Sequence, residues 1–318
     1  MNFNNKIYVA GHKGLVGSAC LRILKAKGYK NIICKNSSEL DLRNQKDVHE
    51  FLKVNKPDVV IDAAAKVGGI LANDKYPYEF LVDNLLIQTN LISSSFQLNI
   101  SKFIFLGSSC IYPKLAPQPL KEEFLLTDSL EPTNQWYAIA KISGVKLIEA
   151  LKLQYKKDYV SLMPTNLYGP FDNFDLESSH VLPAMIRKFH DAKINNKACV
   201  DLWGSGKPFR EFLYVDDLAE AILFCLENSL PDNLYNVGNG VDVSIKELAV
   251  TIKKIVGYEG EINWDRSKPD GTPRKLMDSS KINDLGWNAK YNLELGISKT
   301  YKWFKENQDN YRKLQINK

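Results

Sequence analysis

Tyr137 and Lys141 stand four residues apart in the stretch "NQWYAIAKISG". The segment reads as strongly helical, and positions i and i+4 of a helix share a face. A phenol and an ammonium can therefore point into one site. A free tyrosine has a pKa near 10, too high for acid–base work at neutral pH. An ammonium about 4 Å away, at an effective dielectric near 20, is worth roughly 4 kcal/mol and brings the phenol into range.

A second group of reactive residues sits in "FLGSSCIYPK". An apolar run ends abruptly in Gly107, Ser108, Ser109 and Cys110. A thiol at the carboxyl end of a strand lies where open parallel sheets place their ligands. Near a bound cofactor and Lys141 it can serve as a base when it is a thiolate. Ser109 reads as support for the loop. His180, in "ESSHVLP", falls at the start of a predicted helix. Its imidazole can donate or accept a proton in the physiological range, although a lone histidine is more often a surface or capping residue. His12, His49 and His190 suggest no proton chemistry.

A glycine loop supplies the third group. "YVAGHKGLVGSA" places Gly11, Gly14 and Gly17 between a predicted strand and a predicted helix. Gly11 permits the tight turn, Gly14 lets backbone N–H groups approach a pyrophosphate, and Gly17 lets helix and strand pack closely. A dinucleotide would then lie along the whole loop, against Gly11, His12, Lys13, Gly14, Leu15, Val16 and Gly17. The end of the second strand reads Cys34-Lys35-Asn36-Ser37-Ser38, with no carboxylate before Glu39. Lys13 and Lys35 would attract a 2′-phosphate, which favours NADP over NAD. Asp41 and Leu42 are expected against the adenine.

These groups need a frame that brings distant segments to one edge. Short apolar runs at Ile7–Ala10, Ile32–Cys34, Val59–Ala63, Phe103–Leu106 and Val160–Met163 read as buried strands. Helical patterns at Leu15–Lys27, Gln45–Val54, Pro77–Leu98 and Gln135–Tyr155 alternate with them. That alternation predicts an α/β, Rossmann-type doubly wound parallel sheet. After about Gly169 the pattern becomes irregular, and "GPFDNFDLESSH" and "WGSGKPFREF" read as loops. The expected organisation is a cofactor domain over residues 1–169, with return segments from about 205–240, and a smaller α+β substrate lobe over 170–318.

Composition bounds the function class. The chain has 318 residues, 44% of them hydrophobic and 25% charged, and a net charge of +5. This balance suits an enzyme that handles anionic small molecules. No basic cluster has the density or aromatic interleaving of a nucleic-acid surface. The five cysteines are scattered, odd in number and without a CxxC pair, which argues against disulfides and a zinc site and for a reducing compartment. No metal is expected. No signal sequence is evident and no run approaches the ~18 apolar residues of a membrane span. A cytoplasmic protein without membrane contact is expected.

The glycine pattern, Ser108 and Tyr137-x-x-x-Lys141 resemble the extended short-chain dehydrogenase/reductase superfamily. Longer stretches, among them "AAAKVGGI", "LGSSCIYPK", "EPTNQWYAIAKI", "MPTNLYGPFDNF", "SSHVLPAMIRKFH", "WGSGKPFREFLYVDD" and "SKPDGTPRKLMD", resemble its GDP-L-fucose synthase family, from about Lys6 to Asn307. The resemblance implies C3/C5 epimerisation of GDP-4-keto-6-deoxy-D-mannose followed by NADPH-dependent reduction at C4. It implies Cys110 as base, His180 as acid beside the cofactor, and Ser108 and Tyr137 on the C4 oxygen. Lys141 would also bind the nicotinamide ribose. Pro164, Thr165, Asn166 and Leu167 would lie near the nicotinamide, with Asn166 also facing the sugar. Lys188, Trp203, Arg210 and Asp270 would contact the GDP-sugar, although Asp270 could simply serve its turn. Some relatives carry arginines where this chain has Lys13 and Ser37, a departure that weakens the NADP expectation. A homodimer through a four-helix interface is common in the superfamily. Alternatives are another GDP-4-keto sugar (a colitose precursor or a 6-deoxy-heptose), a 4,6-dehydratase or 4-epimerase, and a non-catalytic NADP sensor.

Overall fold

The computed structural model describes residues 2–268 and 270–308, apart from the side chains of Ile70 and Leu71. Pro269 of the "SKPDG" motif and residues 309–318 of the expected substrate lobe lie outside the described residues. The elements run β1 (Ile7–Ala10), α1 (Leu15–Ala26), β2 (Ile32–Ile33), α2 (Gln45–Asn55), β3 (Val59–Asp62), α3 (Ile70–Lys75), α4 (Pro77–Gln97), β4 (Lys102–Leu106), α5 (Gln135–Tyr155), β5 (Asp158–Pro164) and β6 (Asn166–Tyr168). They continue with α6 (Val181–Ile194), β7 (Cys199–Trp203), β8 (Phe209–Tyr214), α7 (Val215–Glu227), β9 (Leu234–Val237), β10 (Asp242–Ser244), α8 (Ile245–Val256), β11 (Glu261–Asp265), β12 (Arg274–Lys275), α9 (Ser280–Asn283) and α10 (Leu293–Glu306).

Six parallel strands form the main sheet in the order β2-β1-β3-β4-β5-β9. Strands β1, β3 and β4 are buried along their whole length, which is why they read as unbroken apolar runs rather than alternating ones. One face packs Leu24 of α1 and Leu218 and Ile222 of α7 against Val9 and Ile104. The other packs Leu52 of α2, Leu91 of α4 and Val145 of α5 against Tyr8 and Phe105. Strand order reverses between β1 and β3. In doubly wound sheets that point opens the ligand crevice at the carboxyl ends of the strands.

The smaller body has its own core, where Phe189 of α6, Leu248 of α8 and Ile297 of α10 meet Phe212 and Tyr168. Its central strand corrects the reading of "WGSGKPFREF" as a loop. Phe209–Tyr214 is strand β8, paired with β6, β10 and β12. The glycines and proline just before it masked its start, whereas the aromatic residues of "FREFLY" build it. Strand β9 then returns to the edge of the main sheet beside β5. Among the described residues no helix is long and apolar enough to cross a membrane.

Candidate active site

The crevice is built from five strand ends. Gly11 turns the chain after β1 with φ +73°, and a Cβ there would fall 2.5 Å from the Ala63 carbonyl oxygen after β3. Gly17 lies against the same loop, where a Cβ would come within 2.2 Å of the Gly11 oxygen. The turn after β1 can approach the loop after β3 and helix α1 this closely only without side chains at these positions. Gly14 is the N-cap of α1, and neither a capping side chain nor an acidic residue occupies that first turn. A 12-residue helix thus aims an uncapped N-terminus into the cleft, and the donors and dipole there fit a pyrophosphate.

Gly14, Leu15, Val16, Ser108, Tyr137, Lys141, Pro164, Thr165, Asn166, Leu167 and His180 all line this one cleft. The sequence reading grouped them, and the fold brings them together from the start of α1, the end of β4, α5, β5, β6 and the entry to α6. Gly11, His12 and Lys13 belong to the turn between β1 and α1, Gly17 lies in α1, and Lys35, Asp41 and Leu42 lie between β2 and α2; none of them lines the cleft. His12 is turned to the Lys35 backbone, and burial lowers its pKa. Two expectations for that loop change. Lys35 is not free, because its Nζ meets Glu39 Oε1 at 3.0 Å. The Asp41 carboxylate is held by Arg43, with Nη2 at 2.8 Å from Oδ2. Thr165 and Asn166 also spend side-chain donors on the fold, both bonding the Glu211 carbonyl oxygen, at 3.2 and 2.8 Å.

At the end of β4 the chain winds into a short 3-10 turn, Ser109–Ile111, and the Ser108 hydroxyl caps it by accepting Cys110 N–H at 3.4 Å. Ser109 and Cys110 are buried, at 5% and 6% exposure. Burial pushes the Cys110 thiol up; Lys275 most strongly, then Ser108 and Lys141, favour the thiolate. Lys275 was not singled out in the sequence. It lies on β12 in register with Arg210 of β8. Burial lowers its pKa, and the charge of Cys110 opposes that. The quoted motif "SKPDGTPRKLMD" contained this lysine, but nothing in its spacing tied it to a cysteine more than a hundred residues away.

The Tyr137–Lys141 pair differs from expectation. Lys141 is 3% exposed. Its Nζ donates to the Leu106 carbonyl oxygen at 2.8 Å and stands 4.7 Å from the Phe105 ring centroid and 5.8 Å from that of Tyr137. Burial, then the charges of Cys110 and Asp62, raise the phenol well above its ordinary value, so the ammonium does not lower it here. His180 caps the entry to α6, and desolvation lowers its imidazole. His180 as a residue is exposed and lines the cleft, and desolvation favours the neutral imidazole.

The four remaining residues form a second cluster on the smaller body. Lys188 Nζ lies 5.6 Å from the Trp203 ring centroid and donates to the Asp201 carbonyl oxygen at 2.8 Å. Lys268 stands at the same 5.6 Å from that ring. Trp203 is 48% exposed, an open aromatic wall between two cations. Arg210 feels the charge of Asp270. Asp270 itself accepts Ser205 N–H and Oγ–H at 2.6 and 2.7 Å. Its carboxylate therefore serves the turn.

The NAD dependent epimerase/dehydratase family matches residues 7–238. The chain belongs to this family. Within the epimerase/dehydratase family, GDP-L-fucose synthase 1 of Arabidopsis thaliana is 56% identical over 302 residues, 95% of this chain and 94% of that protein. A crystal structure of a GDP-6-OMe-4-keto-L-xylo-heptose reductase from C. jejuni superposes with a TM-score of 0.92 at 39% identity, covering 96% and 99% of the two chains. A GDP-L-fucose synthetase from Naegleria fowleri bound to NADP gives 0.91 at 31%, over 98% and 96%. The resemblance to the GDP-L-fucose synthase family thus holds over nearly the whole chain.

Proposed function

We propose that this protein is an NADPH-dependent epimerase-reductase that converts GDP-4-keto-6-deoxy-D-mannose to GDP-L-fucose. The observation that carries the reading is the placement of Cys110. A buried thiol at the end of β4 is electrostatically coupled to Lys275, Lys141 and Tyr137. A reductase needs a proton donor at the ketone oxygen; a thiol beside that donor adds a base for the neighbouring carbons. The ketone acidifies the hydrogens at C3 and C5. Cys110 takes a proton from one face as the thiolate, and His180 returns one to the other. Ser108 and Tyr137 hold the C4 oxygen, and Tyr137 protonates it when the ketone is reduced. NADPH, when bound, supplies the hydride. The uncapped N-terminus of α1 binds its pyrophosphate, and Lys141 its nicotinamide ribose. Lys188, Trp203 and Arg210 receive the GDP moiety, cations toward phosphate and indole toward the base. Asp270 positions the turn beside Arg210.

Residues 1–169 with the return segment through β9 form the cofactor domain in this reading, and most of the remainder forms the substrate lobe. Exposed Tyr78 and Leu86 on α4 and Trp136 and Ile139 on α5 support a homodimer through these helices. Five free cysteines support a reducing, cytoplasmic setting.

Purified protein supplied with NADPH and GDP-4-keto-6-deoxymannose in deuterium oxide tests this. NADPH oxidation and GDP-fucose labelled at C3 and C5 are expected. The heptose reductase neighbour defines the second reading, the same chemistry or part of it on another GDP-4-keto sugar. Turnover of a GDP-4-keto-heptose or a colitose precursor, with none on the mannose derivative, would replace the first reading with the second.

A further inference from the structure

Asp62 ends β3 after Val59, Val60 and Ile61, and it is wholly buried. One carboxylate oxygen, Oδ1, accepts Ala64 N–H at 3.2 Å. The other, Oδ2, is buried without a hydrogen-bond partner. A buried carboxylate left half-satisfied weakens a fold, so stability does not explain the residue. It lines the same cleft as Ser108, Tyr137 and Lys141.

Its surroundings point to one neighbour. Asp62 pairs with Phe105 across the β3–β4 ladder. In a parallel ladder, paired residues project from the same face of the sheet. Lys141 Nζ stands over that Phe105 ring and bonds the next carbonyl, Leu106. The ring face and the carbonyl are neutral acceptors, so the ammonium otherwise sits in a desolvated pocket. Burial lowers the Lys141 pKa, and Asp62 is the foremost influence opposing this, ahead of Cys110. The titratable groups coupled to Asp62 are Tyr8 on β1 and Tyr137 and Lys141 on α5. Burial pushes the acid up to about 6, with Lys141 holding it down, so the carboxylate still predominates at neutral pH.

We propose that Asp62 is a positioning residue for the reduction, the buried counter-ion that keeps Lys141 an ammonium held against the Leu106 carbonyl. The inference rests on the reading that Lys141 binds the nicotinamide ribose of the cofactor. Without Asp62 the lysine loses its proton at lower pH, and with it its grip on the nicotinamide ribose.

The test is NADPH affinity, by fluorescence titration from pH 6 to 10, in wild type, D62N and D62E. In D62N the alkaline loss of affinity moves toward neutrality by about one pH unit, a roughly tenfold weakening where wild type still binds. D62E stays near wild type. An unmoved alkaline limb in D62N, whatever its thermal stability, overturns the proposal. Should D62N fail to fold, carbon-13 NMR of the Asp62 carboxyl decides. Its titration moves upward in K141M if the two are coupled, and an unchanged titration refutes the coupling. Neither measurement needs the sugar, so failure of the GDP-4-keto sugar assay leaves both readable.

Discussion

Lys35 and Glu39 close an ion pair of 3.0 Å directly after β2. The second Glu39 oxygen accepts Asn36 N–H, also at 3.0 Å. Both side chains are substantially exposed, so the pair adds little to stability. Its effect falls on the cofactor, because a carboxylate here opposes the 2′-phosphate that Lys13 and Lys35 would attract. Glu39→Gln is expected to tighten NADPH binding relative to NADH by about two- to fivefold, the range of an exposed charge pair. The gain shrinks as salt is raised. Titrations with both cofactors at two ionic strengths measure it.

Lys275 opposes the effect of burial on Cys110. Burial raises the thiol, and the lysine is the foremost influence favouring the thiolate. Lys275→Met raises the thiol further, so less thiolate exists at neutral pH. Deuterium exchange at C3 and C5, at saturating substrate, is expected to fall about tenfold for each unit the thiol rises, and to recover at higher pH. A uniform loss at every pH would mean that Lys275 only binds substrate. Cys110→Ser removes the exchange while NADPH binding persists.

Cys110 and His180, the proposed epimerisation pair, are split in an unhelpful direction. The thiol is raised and the imidazole is lowered, each chiefly by burial. Thiolate needs high pH and imidazolium needs low pH, so the competent combination is a minority form of the free protein at every pH. The profile of exchange against pH is expected to be a low bell, with both limbs set by this pair. His180→Gln lowers C3/C5 inversion by about a hundredfold or more, as loss of a general acid does. It costs NADPH affinity far less. Proton NMR of the sugar and fluorescence titration separate the two effects.

Glu211 joins the two bodies. It is wholly buried, and its carboxylate accepts Gly240 N–H at 2.7 Å and Met277 N–H at 2.9 Å. Glu211→Ala strands both donors and costs about 2–4 kcal/mol by urea unfolding at neutral pH. Burial outweighs these bonds and raises the carboxyl pKa. The native protein therefore binds this proton more tightly than the unfolded chain. The contribution of Glu211 is greatest below the ordinary glutamate range and declines as pH rises through its raised value. Glu211→Gln is expected to flatten that part of the stability profile.

Residues that share a local signature were legible. The 135–155 helix carries Tyr137 and Lys141 on one face as its spacing implied, and the glycine turn follows a four-residue apolar strand. Electrostatics were legible only in part. Lys35 and Glu39 lie in a turn rather than on a helix, so their i,i+4 spacing alone did not imply the pair. Asp62 ends an otherwise apolar strand, a signal present in four residues, yet its relation to Lys141 depends on the β3–β4 register. Lys275 influences Cys110 from β12, far along the chain, and no periodicity encodes that. The Tyr137 phenol shows the same limit: a shared helical face fixes direction, while the Leu106 carbonyl decides where the ammonium goes.

Strand β12 and the chain beyond it tie the Cys110 loop to the smaller body. Leu120 N–H donates to the Leu276 carbonyl oxygen at 2.7 Å, and Asp278 N–H donates to that of Leu120 at 2.8 Å. Asn236 of β9 adds bonds to the carbonyl oxygens of both Leu120 and Asp278. Modularity is thereby lost. A fragment ending near residue 169 would keep the glycine turn, the tyrosine and the cysteine, yet β5 would become an open edge and Leu120 would lose its partners. The cysteine would also lose the cation that most favours its thiolate. The two bodies are therefore not independent cassettes, because the loop that carries Cys110 is held, and its thiol influenced, by the chain of the other body.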